Sequence, residues 1–194
     1  EVNLQRVSAA AGDVYLAVII DITERRAAER RIRHLNRVYA VLSEVNQAIV
    51  RERDVPSLAA EACRIAVEVG GFREARLLLA EGERIRCAGR TPAGDAEEAA
   101  TAAEWAEALA LESIRSGRSV TAPARPERVS AVALPLVVDG RAIGAFVLAA
   151  SLEESLDVEE KRLLEELALA VSFALETIRG AAARRAAAAA VRRL

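Results

Sequence analysis

The sequence holds no methionine, one histidine, one tryptophan and two cysteines in 194 residues, and aromatic residues make up 3% of it. So few aromatics exclude the stacking platforms that seat single-stranded nucleic acid. Lys161 is the lone lysine, arginine supplies the rest of the basic charge, and the formal net charge is −2. That balance exerts no long-range pull on nucleic acid or on an anionic membrane, so neither is an expected partner. No apolar run approaches the roughly 20 residues of a membrane span, and no membrane contact is expected from this segment. Cys63 and Cys87 form no CxxC pair, which reads as two free thiols in a reducing cytoplasm. No nucleophile–base pair, metal-ligand cluster or glycine-rich phosphate loop is present, so no catalytic residue, metal or cofactor is expected. With Glu1 in first place and no methionine anywhere, the chain reads as an internal piece of a longer modular protein.

What the sequence does contain is, first, a junction. An apolar strand over 14–20 runs into Asp21-Ile22-Thr23-Glu24-Arg25-Arg26, and a charged helix over 24–53 runs out of it. Residues 3–20 read as a β-hairpin with its turn at Ala11-Gly12-Asp13. Asp21 suits a helix cap, with Glu24 reaching back as in a capping box, and Thr23 is the alternative cap. Further on, Leu35, Val38, Leu42, Val45 and Ile49 recur at intervals of 3, 4, 3 and 4, the spacing of a coiled-coil seam. The seam predicts a partner helix, in the same chain or across a homodimer. Neither Gly nor Pro occurs from Ile22 to Val55, so the connector is stiff.

Pro56 suits the first turn of a second helix over 57–69, which Gly70-Gly71 ends. Strands are expected over 72–80 and 83–88. A helix over 96–116 follows, with Trp105, Leu109 and Ile114 as its large apolar anchors. A short strand at 119–122 comes next, then strands over 128–138 and 141–150 joined by Asp139-Gly140, a tight-hairpin signal. The last helix, over 157–178, puts Leu163, Leu164, Leu167, Val171, Ala174, Leu175 and Ile178 on one side. Gly180 interrupts it, and an Ala/Arg tail extends it. Hairpins exclude a purely parallel sheet. The expected fold class is α+β: one antiparallel β-sheet with helices on its faces and long N- and C-terminal helices.

Val18-Ile19-Ile20-Asp21-Ile22-Thr23-Glu24-Arg25 resembles the last strand and exit of a PAS sensor domain. Residues 35–178 resemble a GAF domain. The matching words begin with Leu42-Ser43-Glu44-Val45-Asn46-Gln47-Ala48-Ile49-Val50 and the run from Ala62 through Gly70-Gly71-Phe72. Later come Ile114-Arg115-Ser116-Gly117-Arg118, Ala133-Leu134-Pro135-Leu136, Gly140-Arg141-Ala142-Ile143-Gly144 and Leu163-Leu164-Glu165-Glu166-Leu167. The resemblance implies a sensory module of a bacterial signal-transduction protein. Such proteins often end in a GGDEF or EAL domain for cyclic-di-GMP turnover, or in a histidine kinase. It also implies a plan: 1–23 the end of a truncated PAS domain, 24–53 a signalling helix, 54–178 the GAF domain, 179–194 a helical linker to an output domain. The segments over 91–103 and 121–127 are shorter than those that wrap the ligand in many relatives. Leu156 replaces the phenylalanine of the cyclic-nucleotide-binding motif, so cyclic GMP is not the expected ligand.

Two sets of residues follow as candidate sites. Trp105, Leu109 and Ile114, with Leu77, Leu79, Ala131, Ala133, Phe146 and Leu148 as sheet-side neighbours, would surround either a filled core or a pocket for an unknown small molecule. Leu35, Val38, Leu42, Val45, Ile49, Leu164, Leu167, Val171 and Ile178 would line a homodimer of terminal helices. Asp21, Thr23 and Glu24 mark the domain junction. His34 lacks the context of a phosphoacceptor and reads as a surface residue. Asp157, Glu159, Glu160, Glu165 and Glu166 read as compensation of a helix dipole. Arg118, Arg125, Arg128 and Arg141 could clamp an anion, although arginine is the default cation of this chain.

Overall fold

A computed structural model describes residues 2–9, 12–82, 84–91, 96–122, 129–151 and 158–191. The chain divides into two compact units, Glu1–Asn36 and Arg37–Leu194. In the first unit, β1 (Val2–Ala9) and β2 (Gly12–Ile19) pair antiparallel, from Val2 opposite Ile19 to Ala9 opposite Gly12. This register makes Gly12 and Asp13 strand residues, correcting the expected turn, whose Ala11 lies outside the described residues. Helix α1 (Thr23–Arg51) begins where Arg26 N–H donates to the Ile22 carbonyl at 2.9 Å. Asp21 stands just outside the helix and accepts from Thr23 N–H at 2.9 Å. Hydrogen bonding from the Thr23 side chain, and then from its backbone N–H, holds the Asp21 carboxyl below its ordinary pKa. Residues 23–33 are all exposed.

In the second unit, α2 (Val55–Glu68) is capped by Asp54, which accepts from Ser57 N–H at 2.9 Å, with a proline in the first turn. β3 (Glu74–Glu81) and β4 (Arg84–Arg90) lead to α3 (Ala96–Ser116) and the short β5 (Val120–Ala122). β6 (Val129–Val138) and β7 (Arg141–Ser151) then turn back on each other through Asp139 (φ 51°) and Gly140 (φ 73°). Paired positive φ values give the primed turn that matches strand twist. α4 (Val158–Val191) closes the described chain and passes through Gly180 without a break.

The strands form one antiparallel sheet in the order β4-β3-β7-β6-β5. α3 lies against β7, β6, β5 and β3, whereas α2 packs on β3 and β4 and α4 on β6. The α2 and α4 side carries most of the large buried side chains, among them Leu58, Ile65, Leu77, Leu79, Leu134, Phe146, Leu164 and Leu167. Contact is closest at Gly89, where a Cβ would fall 2.4 Å from the Ala59 carbonyl carbon. Only glycine permits such an approach of strand to helix. No described helix is long and apolar enough to cross a membrane.

Candidate functional site

Side chains alternate between the faces of a strand, so register decides which residues can meet. Leu77 pairs with Phe146, and Phe146 with Leu134, in one row; Arg76 pairs with Val147, and Val147 with Ala133, in the next. The face beneath α3 therefore carries Leu78, Ala131, Ala133, Ala145, Val147 and Ala149, which cluster with Ala106, Leu109 and Ala110 of α3 and Ala122 of β5. Trp105, Ile114, Ile85 and Val120 pack at its edge. Of the nine expected lining residues, Trp105, Leu109, Ile114, Ala131 and Ala133 come together here. Leu77, Leu79, Phe146 and Leu148 do not: the register turns them to the opposite face, toward α2 and α4.

Seven of the ten buried members of this cluster are alanines, and small side chains on both surfaces let helix and sheet approach closely. Ser113, fully buried on α3, shows how closely. Its hydroxyl donates to the Arg118 carbonyl at 2.9 Å and lies 3.3 Å from the Ala133 carbonyl on the sheet. The same sheet face holds one charged feature that sequence reading missed. Arg76 is 4% exposed and ion-paired with Glu74. Nearby, Thr91 accepts from Ala75 N–H at 3.1 Å and fixes the strand end. A surface depression lined by Ala108, Leu111, Glu112, Arg115 and Ser116 lies on the other side of α3, away from the sheet.

The helical candidates divide in the same way. Leu164, Leu167 and Val171 are completely buried in their own unit, and Val38 and Val45 are buried too. This corrects their assignment to a dimer surface, because a side chain inside its own core has no area left for a partner. α1 buries Val38, Val41, Val45 and Ala48, while Leu35, Leu42 and Ile49 are half-buried and Ile178 of α4 likewise. The exposed large apolar residues are others, including Tyr39 on α1 and Leu169 and Phe173 on α4. The spacing Leu169-Phe173, four residues apart on a helix, was the signal available in the sequence.

Burial pushes the Cys63 thiol up to about 12, so it stays protonated and unreactive near neutral pH; Cys87 is exposed. His34 is half-buried on α1. Arg118 and Arg141 are exposed, and Arg125, Arg128, Leu156 and Asp157 lie outside the described residues, as do 92–95 and 123–127 of the two short segments. Among the described residues no group of three His, Cys, Asp or Glu side chains is placed to hold a metal ion.

The described second unit is thus a five-stranded antiparallel sheet with α3 on one face and α2 and α4 on the other. The sequence profile of the GAF domain family matches residues 52–176, more than half of the chain, and the chain belongs to that family. GAF domains are a regulatory and sensory fold of signalling proteins. The chain is similar to the GAF domain of a candidate sensor histidine kinase from Pseudomonas syringae pv. tomato, at 22% identity and a TM-score of 0.60, over 80% of this chain and 98% of that one. It is also similar to free methionine-R-sulfoxide reductase from Neisseria meningitidis, at 18% identity and a TM-score of 0.59, over 74% of this chain and 91% of that one. A third likeness is to the GAF domain of an Acinetobacter phosphoenolpyruvate-protein phosphotransferase, at 9% identity and a TM-score of 0.56, over 72% and 93%. At these identities the likeness is one of fold. No protein with a curated description matches the chain.

Proposed function

We propose that this GAF domain is a non-catalytic relay of a cytoplasmic bacterial signalling protein. In this reading it passes the state of an upstream PAS domain to a downstream output domain, through terminal helices held in a homodimer. The observation that carries the reading is the construction of α4. Its first half is fixed in the core by Leu164, Leu167 and Val171, while residues 182–188 are exposed. A helix anchored at one end and free at the other transmits any repacking of the core outward. The unbroken helix α1 supports the input side, as does the resemblance of 14–26 to a PAS exit. The alanine-lined contact beneath α3 favours relay over ligand capture.

The reading is tested by inserting two or three residues beside Arg33 in the parent protein. Each residue turns a helix by about 100°, so the insertion should uncouple input from output while purified 194-residue chain carrying it keeps its folded spectrum. Coupling that survives every insertion length overturns the relay. A second reading, small-molecule sensing beneath α3, is favoured by the Arg76–Glu74 pair, since a buried charge on that face is a natural anchor for a polar ligand. Native mass spectrometry of the purified chain decides it: a retained small molecule supports sensing.

A further inference from the structure

The sheet ends differently on its two sides. β5, at one end, is 3 residues long, and a very short strand is one way proteins blunt an exposed edge. β4, at the other end, is 7 residues long, contains no proline and pairs only with β3 among the described strands. Alternate residues of an edge strand point their backbone N–H and C=O away from the sheet, so β4 offers a row of donors and acceptors that no described strand takes up. α2 packs on β4, and Gly89 meets Ala59 there, which holds that row extended before any partner arrives. Arg84, Arg86 and Arg90 are exposed along this strand, and no acidic residue lies between them. Arg86 is ion-paired with Glu81, whereas Arg84 and Arg90 have no ion-pair partner among the described residues.

We infer that the outer edge of β4 is a docking site for an extended acidic segment of a partner protein, which joins the sheet as a further strand. Charge selects this occupant. Antiparallel pairing of two copies centred on Cys87 would set Arg84 opposite Arg90, and parallel in-register pairing would set each arginine beside its own copy. Like charges placed opposite one another destabilise a strand pair, so the edge rejects a second copy and accepts a strand of opposite sign. Side-chain alternation refines the choice. Arg84 and Arg86 share one face of β4, and Ile85 between them lies on the other, where it packs at the edge of the cluster beneath α3. A segment that alternates acidic and apolar residues matches both: its carboxylates meet the guanidinium of Arg84, and its apolar side chains extend the cluster past Ile85. Arg90 lies beyond the pairing irregularity at Leu77/Leu78, opposite Arg76, and adds attraction through charge alone. In strand addition the main-chain hydrogen bonds supply affinity and the alternating side chains supply specificity. A short segment on one edge buries less than about 1,200 Å², the size of a transient contact.

Titrating the whole chain with a capped hexapeptide of alternating glutamate and valine, and with its lysine–valine counterpart, tests the inference. The acidic peptide should saturate the chain below about 1 mM, as a transient contact does, and the lysine peptide should bind at least about tenfold more weakly. At saturation, alternate backbone amides of residues 84–88 should exchange with solvent at least about tenfold more slowly, because a new strand covers them. Arg84→Glu combined with Arg90→Glu should reverse the preference between the two peptides, and that gain of binding also shows the variant to be folded. No saturation by about 1 mM, equal binding of the two peptides, or binding that leaves amide exchange along β4 unchanged would each overturn the inference. Protection of the same amides that grows with protein concentration in the absence of peptide would assign the edge to a second copy and overturn it as well.

Discussion

The two faces of the sheet are built from different amino acids. Beneath α3 the buried residues are mainly alanines, and helix meets sheet closely enough for Ser113 to approach a strand carbonyl. Toward α2 and α4 they are mainly leucines, with Phe146 among them. Apolar area removed from water stabilises a fold by roughly 25 cal/mol per Å², so the leucine side holds most of the stability. The alanine side sets a distance instead. The comparison teaches that the two faces differ in what they supply: the leucine face supplies buried area, and the alanine face supplies a short distance between helix and sheet.

The largest expected effect comes from breaking the heavy side. Phe146→Ala should cost about 3–5 kcal/mol in urea unfolding, the range for removing a buried phenylalanine. A cost below about 1 kcal/mol would show that the leucine side is not the stabilising core. Ala133→Leu sharpens the other half of the comparison. In a filled contact the added methylenes should cost about 1–3 kcal/mol; a leucine accepted without loss would reveal space under α3 and revive the sensing reading. The smallest effect concerns the thiols. Burial raises the Cys63 thiol to about 12, above its unfolded value, so its contribution is complete below about pH 8.5 and declines as the pH climbs toward 12. Cys63→Ala should flatten that alkaline decline. In the folded wild type, iodoacetamide should modify exposed Cys87 at least about tenfold faster than Cys63, and equal rates would contradict the burial.

The sequence made the order of elements readable, because turns and caps are local. Asp54, Gly70-Gly71 and Asp139-Gly140 each fall where a helix or strand changes. The facing of the strands was not readable. Leu77, Leu78 and Leu79 are consecutive and all buried, and a strand covered on both sides shows no alternation from which to choose a face. Pairing irregularities at Leu77/Leu78 and Leu136/Val137 add shifts that no local pattern announces. On α1 the difficulty was overlap. A single 3-4 rhythm runs through Leu35, Val38, Leu42, Val45 and Ile49, although Val38 and Val45 are buried and the other three half-buried. Arg76 was invisible for a simpler reason: one more arginine in an arginine-rich chain carries no signal until its burial is known.

One contact between α4 and the sheet limits how α4 can move. At the irregularity beside Val137 the strand offers a backbone N–H, and Ser172 of α4 accepts it at 3.0 Å while donating to the Ala168 carbonyl at 2.6 Å. Sliding α4 along its axis by one turn, about 5.4 Å, would pull the hydroxyl away and strand that N–H. Tilting or bending beyond Leu175, where the buried stripe ends, breaks nothing of the kind. The serine thus acts as a pivot pin: axial sliding of α4 costs its hydrogen bond to the strand, and tilting beyond it does not.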